Sequence, residues 1–207
     1  PQINSPVLPS KTPVINTPNT LVVGGDDANP PYSYLENGQA LGLDNDLMRE
    51  VAKNLGMEVE FVLAPIEASK QNLREGTIDV IGGLPFSETV KKDFYFGKSH
   101  AFQTYDLFVR RDVKIQSLDD MLERTVVVLR ADLMKDFLED SGYQGRVVVS
   151  EDPIEALTWL AAGRYDGVIL NRIQGYYLIK EYKFANLKGL GLEINTVDYG
   201  FAVKKNN

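Results

Sequence analysis

The 207-residue sequence predicts an α/β fold built from two similar halves with a cleft between them. The pattern L-x-x-G-x-x-D-x-[IV] occurs at residues 73–81 and again at 160–168, with its glycines 87 positions apart (163 − 76). Each copy indicates a helix end, a glycine in the left-handed conformation, a turn that contains the Asp, and a buried strand. Because such units build parallel sheets, two distant copies predict two sheets, and we expect function in the cleft between them.

Composition narrows the class of protein before any motif is considered. The chain is 43% hydrophobic, enough for a real core, and carries a net charge of −7 with no long block of either sign. This balance disfavours nucleic-acid binding, which needs a basic surface. The absence of cysteine excludes disulfides and thiolate metal sites but leaves the compartment open. No run of 18 apolar residues occurs, so no membrane-spanning segment is predicted.

The first half is predicted to begin with a leader or linker, since residues 1–20 hold five of the ten prolines. Pro30 and Pro31 predict a loop, because consecutive prolines cannot continue a helix or a central strand. Asp44 to Leu55 has one apolar face and an acidic start, and Gly56 follows it, as expected of an amphipathic helix. The expected order is a strand at 21–24, a loop at 26–31, a helix at 44–55, a strand at 58–63, a helix at 66–75 and the repeat strand after Asp79.

The second half is predicted to repeat this organisation. Asp152 and Pro153 are typical of a helix start, with an N-cap acid followed by proline at the first helical position. The helix that they begin runs into the second copy of the repeat. The expected order is a strand at 125–129, a helix at 131–140, a strand at 146–149, a helix from 153, the repeat strand after Asp166, a helix at 173–182 and a final strand at 199–203.

In this order the segments resemble a type II periplasmic solute-binding protein of the polar-amino-acid class, from about residue 21 to 204. The resemblance is carried by LVVGGDDANPPYSY (21–34), GLDNDLMREVAKNLGMEVEFV (42–62), TVVVL (125–129), IEALTWLAAGRYDGVIL (154–170) and YGFAV (199–203). It implies a two-lobe periplasmic-binding-protein-like (type II) fold with a hinge of two crossover strands, near 100–106 and 193–199. We expect a leader at 1–20, a first lobe at 21–102 plus 197–207, and a second lobe at 103–196.

The resemblance also implies how an amino-acid ligand would be held, and the charged contacts are missing. Val90 stands where an arginine would bind the α-carboxylate, and Asn171 stands where an aspartate would receive the α-ammonium. Other implied contacts are replaced at Pro85, Ala131-Asp132, Asn29 and Ile66, and only Asp26 matches. Loss of one partner of a desolvated charge pair costs about 2–5 kcal/mol. We therefore expect a cleft for a ligand other than an amino acid, or a degenerate cleft; a shift in the loop alignment, with Lys91 pointing inward, is the alternative.

Seven residues are candidate ligand contacts at the ends of strands or in the loops that follow, where open α/β sheets bind ligands. They are Asp26, Asn29, Gly83, Arg130, Asp132, Asn171 and Arg172. We expect them to line a polar, hydrated pocket of mixed charge that suits a polar or weakly charged solute. For Asp26 the alternative is a solvated loop acid, and for Arg130 and Asp132 a surface ion pair. Tyr32 is expected in the core and His100 at the hinge edge.

No catalytic or metal-binding constellation is predicted. Asp44-x-Asp46 fails as a calcium loop, because Arg49 occupies the position that requires glycine. His100 is the only histidine, so a histidine triad or cluster has no second member. We expect no cofactor, no metal and no enzymatic activity for this chain, although its parent polypeptide could be a histidine kinase.

The function that the resemblance implies is an extracytoplasmic sensor domain of a signal-transduction protein of the histidine kinase type, detecting a small polar solute. The missing charged contacts, the proline-rich leader and an end just past the last strand, as if before a membrane-proximal helix, favour it. The alternatives are a free substrate-binding subunit of an ABC uptake transporter and a dehydratase-like enzyme on the same scaffold. We expect a periplasmic location, a small-molecule ligand, no nucleic acid, and membrane contact only through anchors of the parent protein. Whether the full-length sensor forms a homodimer is left open.

Overall fold

The computed structural model describes residues 19–130 and 133–205. Its strands are β1 (Thr20–Asp26), β2 (Ala28–Asn29), β3 (Ser33–Glu36), β4 (Gln39–Leu41), β5 (Glu58–Ala64), β6 (Val80–Pro85), β7 (Phe94–Phe96), β8 (Ala101–Arg110), β9 (Thr125–Leu129), β10 (Arg146–Ser150), β11 (Gly167–Asn171), β12 (Leu187–Gly189) and β13 (Asn195–Lys204). Its α-helices are α1 (Leu43–Leu55), α2 (Ile66–Glu75), α3 (Glu88–Asp93), α4 (Met134–Asp140), α5 (Pro153–Ala161) and α6 (Arg172–Glu181), with one 3₁₀ turn at Asp119–Met121.

A curled ten-stranded sheet in the order β10-β9-β11-β8-β13-β6-β1-β5 connects the two lobes, with β12 and β7 pairing at its side. In the first lobe β1 lies between its parallel neighbours β5 and β6, and in the second lobe β9 lies between its parallel neighbours β10 and β11. The hinge strands β8 and β13 pair antiparallel between these groups, from Asn195 opposite Tyr105 to Tyr199 opposite Ala101. This confirms the two-lobe fold with two crossover strands. The exact lobe boundaries given above stay a prediction.

Each lobe buries apolar side chains on both faces of its part of the sheet. Val22 packs with Leu73 and Ile81, whereas its neighbour Val23 packs with Met48 in a separate cluster. Alternate strand residues point to opposite faces, so the two clusters lie on the two sides of the sheet. Val126 and Val127 divide in the same way between the two clusters of the second lobe. Helices therefore cover both faces, which explains why the repeat strands are apolar at consecutive positions.

The repeat has the same local structure in both lobes. Gly76 and Gly163 have φ angles of 77° and 76°, the left-handed conformation that glycine adopts without a steric penalty. The Asp three residues later accepts a hydrogen bond from the backbone N–H near the start of the neighbouring strand: Asp79 from Val22 at 2.8 Å, and Asp166 from Thr125 at 2.9 Å. The Asp of each repeat therefore fastens the repeat strand to the first strand of its lobe.

We expect Asp79→Ala and Asp166→Ala each to lower the free energy of unfolding by about 1–3 kcal/mol, because a backbone donor loses its acceptor. Urea unfolding followed by circular dichroism measures this difference. Asp140→Ala is the matched control, since Asp140 is exposed at the end of α4 and we expect a change within about 0.5 kcal/mol. Equal effects of all three substitutions would contradict the proposed role of the repeat.

Some elements differ from the expectations. The short strand β2 lies within the predicted loop, and no element was predicted for the hairpin β3–β4, although Asn37 and Gly38, both with positive φ, form the kind of turn that joins such strands. The strand β7 and the short helix α3 were also not predicted. The predicted helix at 131–140 begins at Met134, and Ala131 and Asp132 lie outside the described residues. The predicted leader falls on residues that, up to position 18, also lie outside them.

Candidate functional site

A cavity of about 650 Å³ lies between the two lobes and is lined by both of them and by the hinge. We call it the inter-lobe cavity. The first lobe contributes the loop after β1, the start of α1 and the end of β6. The second lobe contributes the end of β9, the start of α5 and the junction between β11 and α6. Gln103 and Tyr105 of β8 and Tyr199 of β13 line the cavity from the hinge.

Five of the seven candidate residues line the inter-lobe cavity. They are Asp26, Asn29, Gly83, Arg130 and Asn171. Gly83 comes from the first lobe and Asn171 from the second, as expected for residues on either side of a cleft. Asp132 lies outside the described residues. The structure thus places the five at one cavity, and their contact with a ligand stays a prediction.

Arg172 does not line the cavity, so its predicted position is wrong. Its Nη2 donates to the carbonyl oxygen of Leu192 at 2.7 Å, and its Nε lies 3.6 Å from Oδ2 of Asp106. Asp106 is fully buried in β8 and also accepts hydrogen bonds from the backbone N–H groups of Leu107, Gly191 and Leu192. Arg172 neutralises a buried acid of the second lobe because α6 begins at this residue and turns its side chain away from the strand end.

The floor of the cavity contains a buried pair that sequence analysis missed. Tyr199 donates its hydroxyl hydrogen to Oδ2 of Asp44 at 2.5 Å, and both side chains are almost fully buried. Burial raises the pKa of Asp44 to about 7, and the hydrogen bond from Tyr199 offsets part of that rise. Burial, together with the nearby Asp44, holds the pKa of Tyr199 well above its usual value. Asp44 is therefore poised to gain or lose a proton near neutral pH.

Gly83 is required by this pair. A Cβ atom at position 83 would lie 2.2 Å from the hydroxyl of Tyr199 and 2.5 Å from Oδ2 of Asp44, closer than non-bonded atoms approach. Close packing against the hinge therefore explains the glycine at position 83, and its contact with a ligand stays a prediction.

Hydrogen bonds between side chains connect the lobes at the cavity. The hydroxyl of Tyr32 donates to Oδ1 of Asn171 at 3.1 Å, and Nε2 of Gln174 donates to Oδ1 of Asn29 at 2.7 Å. Oδ1 of Asn171 also caps α6 by accepting from the N–H groups of Ile173 and Gln174. Tyr32 is buried, as expected, but it is also a contact between lobes, which its position beside two prolines did not indicate.

Acidic side chains outnumber basic ones in the cavity lining. Among the described residues, Arg130 is the one basic side chain, whereas six are acidic: Asp26, Asp27, Asp44, Glu67, Glu151 and Asp152. Arg130 is bonded to Glu151 and is itself largely exposed. Burial and the neighbouring Asp27 raise the pKa of Asp26, although the N–H of Ala28 donates to its carboxylate. The predicted mixture of charges is therefore weighted strongly toward negative charge.

The loop after β6 supplies no cation to the cavity. Val90 packs against the apolar core of the first lobe, within α3. Lys91 forms an ion pair with Glu88 at 2.9 Å on the surface and does not line the cavity. The alternative in which Lys91 points inward is therefore wrong, because this short helix directs it to solvent.

His100 lies beside the hinge, where its ring contacts Tyr199 and Phe201. Burial lowers its pKa.

The described part of the chain brings together no three His, Cys, Asp or Glu side chains that could hold a metal ion. Across residues 19–130 and 133–205, no helix has both the length and the apolar character needed to cross a bilayer.

Two α/β lobes joined by crossover strands, with a ligand-sized cavity between them, define the class of solute-binding proteins. The chain belongs to the bacterial extracellular solute-binding proteins, family 3, whose family model matches residues 21–206.

Three of the similarities to individual proteins bear on the function. The chain is 27% identical over 158 residues to the "Probable amino-acid-binding protein YxeM" of Bacillus subtilis (strain 168), which is 74% of this chain but 60% of that relative. The crystal structure of a histidine kinase sensor domain with similarity to periplasmic binding proteins matches with a TM-score of 0.84 and 33% identity, over 91% of this chain and 83% of the other. The ancestral amino acid-binding protein AncCDT-1, a precursor of cyclohexadienyl dehydratase, matches with a TM-score of 0.78 and 25% identity, over 91% and 83%.

Proposed function

We propose that the chain is an extracytoplasmic ligand-binding sensor domain of a signal-transduction protein of the histidine kinase type. The observation that carries the proposal is the inter-lobe cavity, which is lined by polar side chains from both lobes and the hinge. A ligand that contacts both lobes stabilises the closed arrangement by its greater affinity for it, and closure moves the attached segments. The similarity to a histidine kinase sensor domain over 91% of this chain supports the sensor role.

The location and partners follow from the same proposal. Membership of an extracellular family supports a periplasmic site of action. The partner is a small molecule in the inter-lobe cavity, and contact with a membrane would come from anchors in the parent protein. The proposal includes kinase activity of the parent protein and dimerisation of the full-length sensor. Measurements on the full-length protein would test both.

A free substrate-binding subunit of an ABC uptake transporter is the second candidate, supported by membership of the extracellular solute-binding proteins and by the similarity to a probable amino-acid-binding protein. The full-length gene separates the two candidates. A downstream transmembrane helix followed by kinase segments supports the sensor. A short reading frame that ends after the binding domain, beside a permease gene, would contradict it.

A dehydratase-like enzyme on the same scaffold is the third candidate. The pKa of Asp44, which burial raises to about 7, favours it, because a general acid must hold its proton near neutral pH. A thermal-shift screen of small polar metabolites followed by product analysis tests binding against turnover. We expect stabilisation of about 2.7 kcal/mol at 100 times the dissociation constant, with the ligand recovered unchanged. Recovery of a converted product would contradict the sensor proposal, and the lack of any stabilising compound would contradict ligand binding itself.

We expect standard L-amino acids to bind without submicromolar affinity. Val90 is packed in the core, Asn171 is neutral and caps α6, and Arg130 is paired with Glu151, so among the described residues that line the cavity no unpaired cation is present for the α-carboxylate. A lost charged contact of about 2–5 kcal/mol corresponds to more than tenfold in affinity. Isothermal titration calorimetry with glutamine, histidine, arginine and glutamate measures this. A submicromolar dissociation constant for any of the four would show that the charge assignment of the cavity is wrong.

A further inference from the structure

We propose that the inter-lobe cavity takes an organic cation that carries no carboxylate, such as an amine or a guanidine with a neutral hydrogen-bond acceptor. This inference rests on the proposed function and names the chemical class of its ligand.

The first step of the argument is the distribution of charge. Asp26, Asp27 and Asp44 line the first-lobe side of the cavity, and no ion pair within the described residues reaches any of the three. Of the other lining acids, Glu67 is paired with Lys70 and Glu151 with Arg130, whereas Asp152 has no ion pair among the described residues but caps the positive end of α5. Three of the four lining acids without an ion pair therefore lie on one side, near the ends of β1 and β6. A carboxylate placed there would meet like charge, whereas a cation would neutralise it.

The second step concerns buried polar atoms without partners. Oδ1 of Asp44 and Nδ2 of Asn171 are buried, and neither has a hydrogen-bond partner in the described structure. Both residues line the cavity, one from each lobe. A buried acceptor or donor without a hydrogen-bond partner costs free energy, so each of these atoms is suited to a ligand group that bonds to it. A cationic N–H group of the ligand would donate to Oδ1 of Asp44, and a hydroxyl or amide oxygen would accept from Nδ2 of Asn171.

The third step is the exclusion of a fixed counter-cation. Arg130 is the one lining cation of the described residues, belongs to the second lobe and is held by Glu151. Lys70, whose charge acts on Asp26, is held by Glu67 at 2.7 Å. The protein thus supplies negative charge at the cavity and keeps its nearby cations paired. A ligand with a positive charge and no negative charge would neutralise the acidic side chains of the cavity.

Matched sets of compounds test the inference, because the members of each set differ at the carboxylate alone. The probes are arginine, argininamide and agmatine; lysine, lysinamide and cadaverine; and histidine, histidinamide and histamine, with glutarate as an anionic control. Isothermal titration calorimetry is done at neutral pH and low ionic strength with the whole chain. In at least one set we expect the amide or the amine to bind at least tenfold more tightly than the amino acid, and glutarate not to bind.

Variants connect the binding to the named carboxylates. Asp26→Asn and Asp44→Asn each replace an ionisable carboxyl group of the cavity by a neutral amide with little change in volume, and each is expected to weaken the best probe at least tenfold. Glu60→Gln is the matched control, since it removes the same charge from an exposed position on β5, and its affinity is expected to stay within twofold of the original. The use of two cavity variants keeps the test valid if one of them folds poorly.

The outcomes separate this inference from the proposed function. If an amino acid binds as tightly as its amide and amine, or if none of the cations binds at millimolar concentration, the inference is overturned. The solute-binding role would survive either result, provided that another compound in the metabolite screen stabilises the protein. If Glu60→Gln weakens the probe as much as the cavity variants do, the attraction is a property of net charge and the assigned site is overturned.

Discussion

Asp106→Ala is expected to lower the free energy of unfolding by about 3–5 kcal/mol, the largest loss among the substitutions considered for this protein. The carboxylate of Asp106 is fully buried, accepts from three backbone N–H groups and lies 3.6 Å from Nε of Arg172. Its removal leaves those donors unmet and leaves the half-buried guanidinium of Arg172 without its counter-charge. Each backbone donor left without an acceptor costs about 1–3 kcal/mol. The sum for three donors can exceed the expected loss, because relaxation of the structure and entry of water reduce the cost.

Urea unfolding of the purified domain measures the loss, with Asp112→Ala as the control. Asp112 is paired with Arg110 but is largely exposed, so its substitution is expected to change stability by about 0–1 kcal/mol. Arg172→Ala adds a further distinction. If Arg172 held a ligand, its substitution would abolish binding and leave stability unchanged, whereas the structure predicts a loss of stability. A loss below about 1 kcal/mol for Asp106→Ala would contradict the buried network.

The second large effect is a dependence of stability on pH that Asp44→Asn removes. The pKa of Asp44 is about 7 in the folded protein, against 3.8 for an ordinary Asp. Between these two values the folded protein keeps a proton that the unfolded chain has lost. The contribution of Asp44 to stability is therefore full below about pH 4, falls as pH rises toward 7, and is constant above that. A pKa difference of about three corresponds to at most about 4 kcal/mol.

The measurement is the difference in unfolding free energy between the wild-type protein and Asp44→Asn at pH 5, 6, 7 and 8. Other groups titrate equally in both proteins and cancel, and burial raises the pKa of Tyr32 to about 12 and holds the pKa of Tyr199 well above its usual value. We expect the wild-type protein to lose stability relative to the variant with rising pH. Asp46→Asn, at an exposed position paired with Arg49, is expected to give no such slope. A flat difference for Asp44→Asn would mean that its carboxylate is ionised throughout.

The elements that sequence analysis predicted well are those defined by local chemistry. The helix at 66–75 and the strand at 125–129 have the observed bounds, because each lies between residues that end or begin such elements. The N-cap at Asp152 was likewise readable, since its side chain accepts from the N–H groups two and three residues later. The glycines of the repeat belong to the same group. Local signals of this kind can be read from a short window of the sequence, without knowledge of distant residues.

The parts of the site that sequence analysis missed depend on distant residues. Asp44 belongs to the cavity floor because Tyr199, 155 positions later, reaches it from the hinge. Tyr32 became a contact between lobes because Asn171 lies opposite, 139 positions away. The error at Arg172 has a different source. The strand-end rule places Asn171 and Arg172 together, but a helix that starts at the second of them sends the two side chains in different directions.

The continuous sheet has a mechanical consequence. The strands β8 and β13 are hydrogen-bonded to each other over five residue pairs between the lobes. Rotation of one lobe against the other therefore has to twist a two-stranded ribbon, which resists in proportion to the angle, whereas a flexible loop would yield freely. Just past the end of this ribbon, β13 pairs irregularly with β6 between Gly200 and Ala202, and a bulge of this kind bends the strand and increases its local twist. The hinge therefore opposes rotation of the lobes, and β13 bends on the first-lobe side, next to Tyr199 and the cavity floor.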